Sequence, residues 1–585
     1  MKIKHLFGLA VIAAMTASCS SNEDLGTAGP GTGTNEAGVG YATFTINLPS
    51  TNGTRAGNPT YDQGTSDEYD VNDVTLLIFK KAGTSEGDYT FVEKANLGNM
   101  APWKAEGSNG ITASATITAQ LTGVALTSEG SKSDYYALAI LNNKNSADED
   151  KITLPTSSPT STVTYGSWNA ASNADETNLK DNGFYMANAP VFVADGEPTT
   201  LVNIDKVYAT KQKAETNAAT TIHVERGLAK VSIASNAFPS TALKPTGTKY
   251  NEDEVKITAW NLDVTNKSTF PIHKTAGLKN TNFSTIWSNT ASTTGASVTR
   301  FVDGTNPVFK RVYWGVDPNY SDNLTTVAAC KGAFNILESN ATIDGAADKP
   351  QYCLENTFDI EHMKQGQTTR VVFKATYKPK GFTAGETFYK IGNSTDLWNE
   401  TNLIAQITAK AADVLGVPSS AITVDLDATE NDIKNNAGTK LLVKENVKNA
   451  GTAVNDAQIA DINAKLGLKA AGTDPIVDPI VGIATYKSGE SYYIARIKHF
   501  GDLTPWAEGQ ETYGTNNDAN NTKYLGRYGV LRNNWYELTI GSVSGPGTPD
   551  VPTIKPDEPD DESYKYISVS VKILSWAKRS QKIDL

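Results

Sequence analysis

Residues Tyr41–Ser50 read YATFTINLPS, with Ala42, Phe44, Ile46 and Leu48 on one face and Thr43, Thr45 and Asn47 on the other. This is the period-two pattern of a strand with one face buried. The same signature recurs at Val74–Lys80 (VTLLIFK), Tyr135–Leu141 (YYALAIL), Ile222–Ile233 (IHVERGLAKVSI), Val255–Val264 (VKITAWNLDV), Thr369–Tyr377 (TRVVFKATY) and Trp535–Ile540 (WYELTI). Clusters of Gly, Asn, Asp, Ser and Thr separate these runs, so the spacing predicts an all-β fold of sandwich type. A chain of 585 residues exceeds one hydrophobic core, and two β-sandwich domains in series are expected.

The Ala/Thr/Asn-rich stretch at 214–221 suggests the boundary, giving a first domain at 56–221 and a second at 222–545. Asn402–Leu415 and Val454–Leu466 break the alternation with helical spacing and Asn or Asp near their starts, so a small helical insertion at about 400–470 is expected in the second domain. Residues 546–563, within GPGTPDVPTIKPDEPDDES, are proline-rich and acidic and read as an extended linker before a last segment, 564–585.

Composition removes several function classes. Lys+Arg 52 against Asp+Glu 64 leaves a net charge of −12, and no basic stripe is present to neutralise phosphates, which argues against nucleic acid as a partner. Three cysteines and five histidines are too few for a disulfide framework or a four-cysteine zinc site, so no metal and no cofactor are expected. The N-terminus has a basic start (Met1-Lys2-Ile3-Lys4-His5), an apolar run from Leu6 to Met15, and Thr16-Ala17-Ser18-Cys19. Residues 1–18 therefore read as a secretory signal, too short to remain as a membrane span. The small residues before Cys19 resemble the lipobox of bacterial lipoproteins, which makes Cys19 the expected lipidation site and implies a transient anchor in the outer membrane after export. Ser20–Gly40 is rich in small polar residues and reads as a flexible tether.

Catalytic patterns dissolve on inspection. Gly83-Thr84-Ser85-Glu86-Gly87 has the spacing of a hydrolase nucleophile elbow, but a strand-like segment follows it where that elbow needs a helix, so a hairpin loop is expected. Asp425, Asp427, Glu430 and Asp432 lack the spacing of a calcium loop, and His223, His273, His362 and His499 stand singly. Cys330 and Cys353 have two fates open to them, a disulfide permitted by export or two buried thiols. Trp103, Trp168 and Trp506 would be the stacking residues of an alternative reading, a surface glycan-binding lipoprotein.

The ends of the chain carry the positive signal. The strand 41–50 is followed at once by Thr51-Asn52-Gly53-Thr54-Arg55-Ala56-Gly57, small polar residues around one arginine, the kind of loop a protease cuts. Cleavage between Arg55 and Ala56 would detach residues 19–55, anchor and strand together. At the other end, YKYISVSVKILSW (564–576) places Ile567, Val569, Val571 and Ile573 on one face, and the sequence closes on Ile583-Asp584-Leu585. Both terminal strands thus offer apolar side chains at period two, and the second could fill the groove left by the first in another molecule. Burial of four such side chains contributes at most about 6–12 kcal/mol before ordering costs. Main-chain hydrogen bonds add about 1 kcal/mol each. A head-to-tail joint of this kind propagates as an open filament. The other fate is that the C-terminal strand folds back onto its own domain.

VERGLAKV (224–231), YWGVDPNY (313–320), CLENT (353–357), TTRV (368–371), IKHF (497–500) and RYGVLRNNW (527–535) together resemble the fimbrillin family of type V pili, with the minor-fimbria branch of major subunits the nearest. The resemblance implies transthyretin-like sandwiches and a shaft subunit made as a lipoprotein, cut after Arg55 by an Arg-specific protease and polymerised by donor-strand exchange. Ala42, Phe44, Ile46 and Leu48 would belong to the removed strand, and Ile567, Val569, Val571, Ile573, Ile583 and Leu585 to the donor. It implies as partners other copies of the chain, related fimbrial subunits and host or bacterial surface receptors, and adhesion at the cell surface rather than enzymatic activity as the role. Tip and anchor components share the sandwich plan and form the alternative within the family.

Overall fold

The structure is a computed structural model that describes residues 39–48, 66–97, 114–156, 162–171, 176–191, 198–234, 238, 242–276, 312–321, 324–473, 478–499, 526–556, 558–560 and 567–575. The fold is all-β. The first sheet is built from β1 (Gly40–Asn47), β2 (Val74–Lys80), β3 (Thr90–Asn96), β4 (Ser114–Leu121), β5 (Tyr135–Leu141), β6 (Met186–Asn188), β7 (Val202–Asn203) and β8 (Thr220–Arg226), in the order β3-β2-β5-β6-β8-β1-β4 with β7 paired to β5. Alternate residues of β1, β2, β4, β5 and β8 meet in one core around Phe44, Ile46, Leu76, Ile78, Ala119, Ala139 and Ile222, so the sheet curls round its own inner face. The opposite face of β2 and β5 is covered by Trp168, Leu179 and Tyr185, which is why VTLLIFK and YYALAIL are nearly continuous apolar runs rather than clean alternations.

The second domain contains β9 (Leu228–Ile233), β10 (Glu254–Asp263), a two-stranded pair β11 (Thr265–Asn266) and β12 (Phe334–Asn335), then β13 (Gln351–Leu354) and β14 (Arg370–Lys378). An inserted module follows, with β15 (Phe388–Ile391), β16 (Leu397–Trp398), β17 (Ile422–Val424), β18 (Gly438–Lys440), β19 (Val447–Asn449), β20 (Thr452–Ala453) and β21 (Ile483–Tyr486). The domain closes with β22 (Glu490–Arg496), β23 (Asn534–Val543) and β24 (Ile567–Ser575). Sheets β10-β14-β22 and β13-β9-β23-β24 face each other across a core of Val231, Trp260, Phe373, Tyr493, Tyr536 and Leu538, a two-layer sandwich.

Three expectations change. The run Ile222–Ile233 is not one strand: β8 belongs to the first sheet and β9 to the second domain, and the chain changes sheets at Gly227. A side chain there would press on Tyr185, its Cβ only 3.0 Å from that ring, so the crossover uses the smallest residue. The first sheet therefore extends past residue 221. The insertion is also larger than 400–470. Helices Glu400–Leu415 and Asp456–Lys465 start on Asn399 and Asn455, whose side chains accept from Asn402 N–H at 2.9 Å and Gln458 N–H at 2.9 Å. They pack with strands β15 and β21 on a separate core of Leu403, Ile407, Ile459, Ile462 and Ile483. Since β14 and β22 pair antiparallel from Arg370↔Arg496 to Thr376↔Glu490, residues 379–489 take the place of a hairpin turn.

The third change concerns the proline-rich stretch, which is a strap laid on its own domain rather than a free linker. Thr548 exchanges two backbone hydrogen bonds of 2.9 Å with Tyr492 on the edge of β22. Gly547 allows that approach, since a Cβ would lie 2.0 Å from the Tyr492 carbonyl oxygen. Val551 and Ile554 are buried in small apolar clusters, Arg370 donates from Nη2 to the Pro552 carbonyl, and buried Asp560 accepts from Thr368 Oγ1 at 3.1 Å.

The two domains meet through buried charge. Glu68, in a short helix at Ser66–Tyr69, pairs with Lys230 of β9 at 2.7 Å and accepts from Tyr352 Oη at 2.6 Å, while Arg226 of β8 donates from Nε to its carbonyl oxygen at 2.7 Å. His273 Nδ1 lies 2.8 Å from Glu225 Oε1, and Arg532 Nε lies 3.3 Å from Glu355 Oε1 nearby.

Candidate functional site

β1 is an interior strand. It pairs antiparallel with β4 from Gly40↔Leu121 to Asn47↔Ser114 and parallel with β8 from Phe44↔Thr220 to Asn47↔His223. Ala42, Phe44, Ile46 and Leu48 are all buried in the first core, as their alternation predicts. On the outer face, Thr43 and Thr45 meet Thr118 and Thr116 through hydroxyl hydrogen bonds of 2.9 and 3.1 Å. Withdrawal of β1 would leave β4 and β8 with facing rows of unpaired main-chain groups above an opened apolar groove.

Arg55 and Ala56 lie outside the described residues, as do Cys19, Ile583 and Leu585. The described chain on either side of Arg55 is held in two different places: β1 in the sheet, and Glu68 at the domain junction. A break between them frees the strand covalently and leaves the downstream segment pinned.

In the single chain β24 folds back, pairing antiparallel with β23 from Asn534↔Ser575 to Val543↔Ile567. Among the described residues it ends its sheet and is hydrogen-bonded along one side. The contrast with β1 matters, because a strand seated between β4 and β8 would have two main-chain neighbours, whereas β24 has one among the described residues.

The other residues singled out in the sequence have structural duties. Ser85 caps a turn between antiparallel β2 and β3, its Oγ accepting from Gly87 N–H at 3.3 Å, and no elbow helix follows. Asp425 pairs with Lys448 at 3.5 Å, and Asp432 accepts from Asn435 N–H at 2.8 Å. His273 and His499 are buried, the latter with Nδ1 2.7 Å from Tyr536 Oη, and His362 Nδ1 lies 2.5 Å from Asp359 Oδ1. His223 is half-buried on β8. Trp168 is buried and donates from Nε1 to the Thr153 carbonyl at 2.8 Å, which removes it from a sugar-stacking surface; Trp103 and Trp506 lie outside the described residues.

The disulfide option for Cys330 and Cys353 is not realised. Cys330 sits in the helix Val327–Ala333 among Val264, Leu324, Phe334 and Ile554, with its Sγ 3.3 Å from the Leu324 carbonyl, whereas Cys353 lies on β13 in the sandwich core. Burial pushes the Cys353 thiol well above its ordinary value.

Sequence reasoning missed the strap and the junction. Both are fixed by charged residues in apolar strands, Arg370 in TTRV and Lys230 in VERGLAKV, and a charge at an inward position was the available signal.

The strand order defines an all-β protein in which, among the described residues, the first strand is interior and the last is an edge. Residues 484–582 match the family model described as major fimbrial subunit protein type IV, fimbrillin, C-terminal. The match runs from β21 through β22, β23 and the strap to just past β24, so this part of the chain is similar to a fimbrillin C-terminal region, and it contains IKHF and RYGVLRNNW of the resemblance read from the sequence. A search of curated proteins found no match. Among solved structures, a candidate cell adhesion protein from Parabacteroides distasonis has 11% identity, covering 92% of this chain and 99% of that one, with a TM-score of 0.37. A fimbrilin from Porphyromonas gingivalis has 12% identity, covering 91% and 96%, with a TM-score of 0.32. The tip fimbrial protein of Porphyromonas gingivalis has 12% identity, covering 59% and 79%, with a TM-score of 0.20. Among the described residues no helix is long and apolar enough to cross a membrane.

Proposed function

We propose that the chain is a structural shaft subunit of a cell-surface fimbria, exported as a precursor lipidated at Cys19, cut between Arg55 and Ala56 by an Arg-specific protease, and polymerised by donor-strand exchange. Its role is mechanical and adhesive rather than catalytic. The observation that carries this reading is the unequal pairing of the terminal strands among the described residues, β1 with two neighbours and β24 with one. A β24 that leaves β23 and enters the β1 slot of another copy loses one ladder and gains two, each hydrogen bond contributing about 1 kcal/mol net. The same move closes the apolar groove that departure of β1 would expose. The presence of both a removable first strand and a C-terminal donor favours a shaft subunit over a tip or an anchor.

Limited Arg-specific proteolysis of the full chain followed by electron microscopy tests the reading. Filaments should form after cleavage, with Ala56 as the new N-terminus, and Arg55→Ala should stay a folded monomer. Val569→Asp with Val571→Asp should cleave normally and fail to polymerise, since a carboxylate is costly to bury in the groove. Filaments from the double variant at the wild-type rate would contradict the proposal.

A further inference from the structure

Resting on the exchange reading just given, we infer that the incoming strand takes one defined register in the β1 slot, with Ser568 of a second copy at the position of Thr43 and Ser570 at that of Thr45. Tyr41-Ala42-Thr43-Phe44-Thr45-Ile46-Asn47 and Tyr566-Ile567-Ser568-Val569-Ser570-Val571-Lys572 share one arrangement: tyrosine, then two small hydroxyl residues at alternate positions, then a polar residue. The hydroxyls are the discriminating feature, because Thr43 and Thr45 of β1 already bond across to Thr118 and Thr116 of β4. Serines at these two positions keep both hydroxyl pairs, the kind of cross-strand pair that stabilises one register over another.

Other registers lose something definite. A slip of one residue turns Ser568 and Ser570 into the apolar core and sets Ile and Val against the threonine row, leaving hydroxyls buried without partners. A slip of two in one direction brings Lys572 opposite Thr116. A slip of two in the other brings Tyr566 opposite Thr118. Only the aligned register matches both serines to both threonines. It also places Ile567, Val569, Val571 and Ile573 at the positions of Ala42, Phe44, Ile46 and Leu48. There a larger residue replaces alanine beside a smaller one replacing phenylalanine, an exchange that roughly conserves core volume. The strand then runs in the direction of β1, antiparallel to β4 and parallel to β8, so the groove recognises the C-terminal strand of another copy through a likeness to the strand it replaces.

Cysteine cross-linking tests the register in the full chain on a Cys19→Ser background. Three acceptor copies, each carrying Thr116→Cys, Thr118→Cys or Gln120→Cys, are mixed after Arg-specific cleavage with a donor copy carrying Ser568→Cys, assembled and oxidised. Residues directly opposite come within disulfide reach, whereas a neighbour two places along is about 7–8 Å away. The cross-linked dimer band should appear with Thr118→Cys and be lost with the other two. An independent pair, Thr116→Cys with Ser570→Cys, should cross-link through the same register and keeps the test decisive should one variant assemble poorly. A band that moves to Thr116→Cys or Gln120→Cys with the Ser568→Cys donor overturns the register and leaves strand exchange standing. Filaments that give no intersubunit cross-link with any of these pairs, nor with Ile117→Cys or Ala119→Cys acceptors that a one-residue slip would set opposite Ser568→Cys, overturn both.

Discussion

Arg370→Ala is expected to lower the unfolding free energy of the chain by about 3–5 kcal/mol, because it strands a buried carboxylate. Arg370 Nε lies 2.8 Å from Asp263 Oδ2, and both side chains are almost wholly enclosed, 1% and 0% exposed. The other Asp263 oxygen accepts from Val264 N–H at 2.9 Å and Leu337 N–H at 2.8 Å, so the carboxylate cannot turn to water when the guanidinium goes. The same substitution removes the donor that holds the Pro552 carbonyl, and the strap loosens where it crosses from the sandwich edge toward Asp560. Denaturant titration with tryptophan fluorescence measures the loss. Arg370→Lys should recover only part of it, since an ammonium on a shorter reach cannot serve Asp263 and Pro552 together. A loss under about 1 kcal/mol, the value typical of an exposed pair, would mean that water reaches the site.

Glu68→Ala should cost a comparable amount, about 3–5 kcal/mol, at the domain junction. Lys230 Nζ would keep its place 4.0 Å from the centre of the Trp535 ring but lose the carboxylate 2.7 Å away, and the Tyr352 hydroxyl would lose its acceptor. Removing the charge from both partners is the informative control. Glu68→Gln with Lys230→Met retains a group able to accept from Tyr352 and eliminates the buried ammonium, so the double variant should be more stable than Glu68→Ala by a margin that denaturant titration resolves. A double variant no more stable than the single one would show that the ion pair itself, rather than the cost of an unpaired buried ammonium, decides the stability of the junction. The functional meaning is positional: Glu68 follows the candidate cut, and its grip on β9 and β13 would keep the trimmed end of the chain in place once β1 has gone.

The strands were legible wherever one face is buried, because the pleat converts burial into alternation; β1, β10 and β23 are examples. The helices of the insertion were legible from their asparagine caps and apolar spacing. The sheet change at Gly227 was not, since apolar residues continue on both sides and one glycine is a weak signal inside an extended run. The strap was misread for a related reason. Its proline and acidic content describes an extended backbone correctly, but where an extended segment lies depends on a few contacts such as Val551, Ile554 and Asp560, each separated by polar residues. The extent of the insertion escaped because its short strands carry few apolar residues each and acquire a core only when β15 and β21 are brought together. Of the candidate assembly site, the two alternating strands could be read directly, whereas interior against edge position follows from long-range pairing that periodicity does not encode.

The most direct measurement is a high-resolution cryo-electron microscopy structure of filaments assembled from Arg-cleaved chain. Strand exchange requires that the density between β4 and β8 of each subunit be residues 566–573 of its neighbour, with the first ordered residue of the subunit no earlier than Ala56. A filament in which residues 41–48 still occupy that position, and Ile567–Ser575 still pairs with Asn534–Val543 of its own chain, would contradict it.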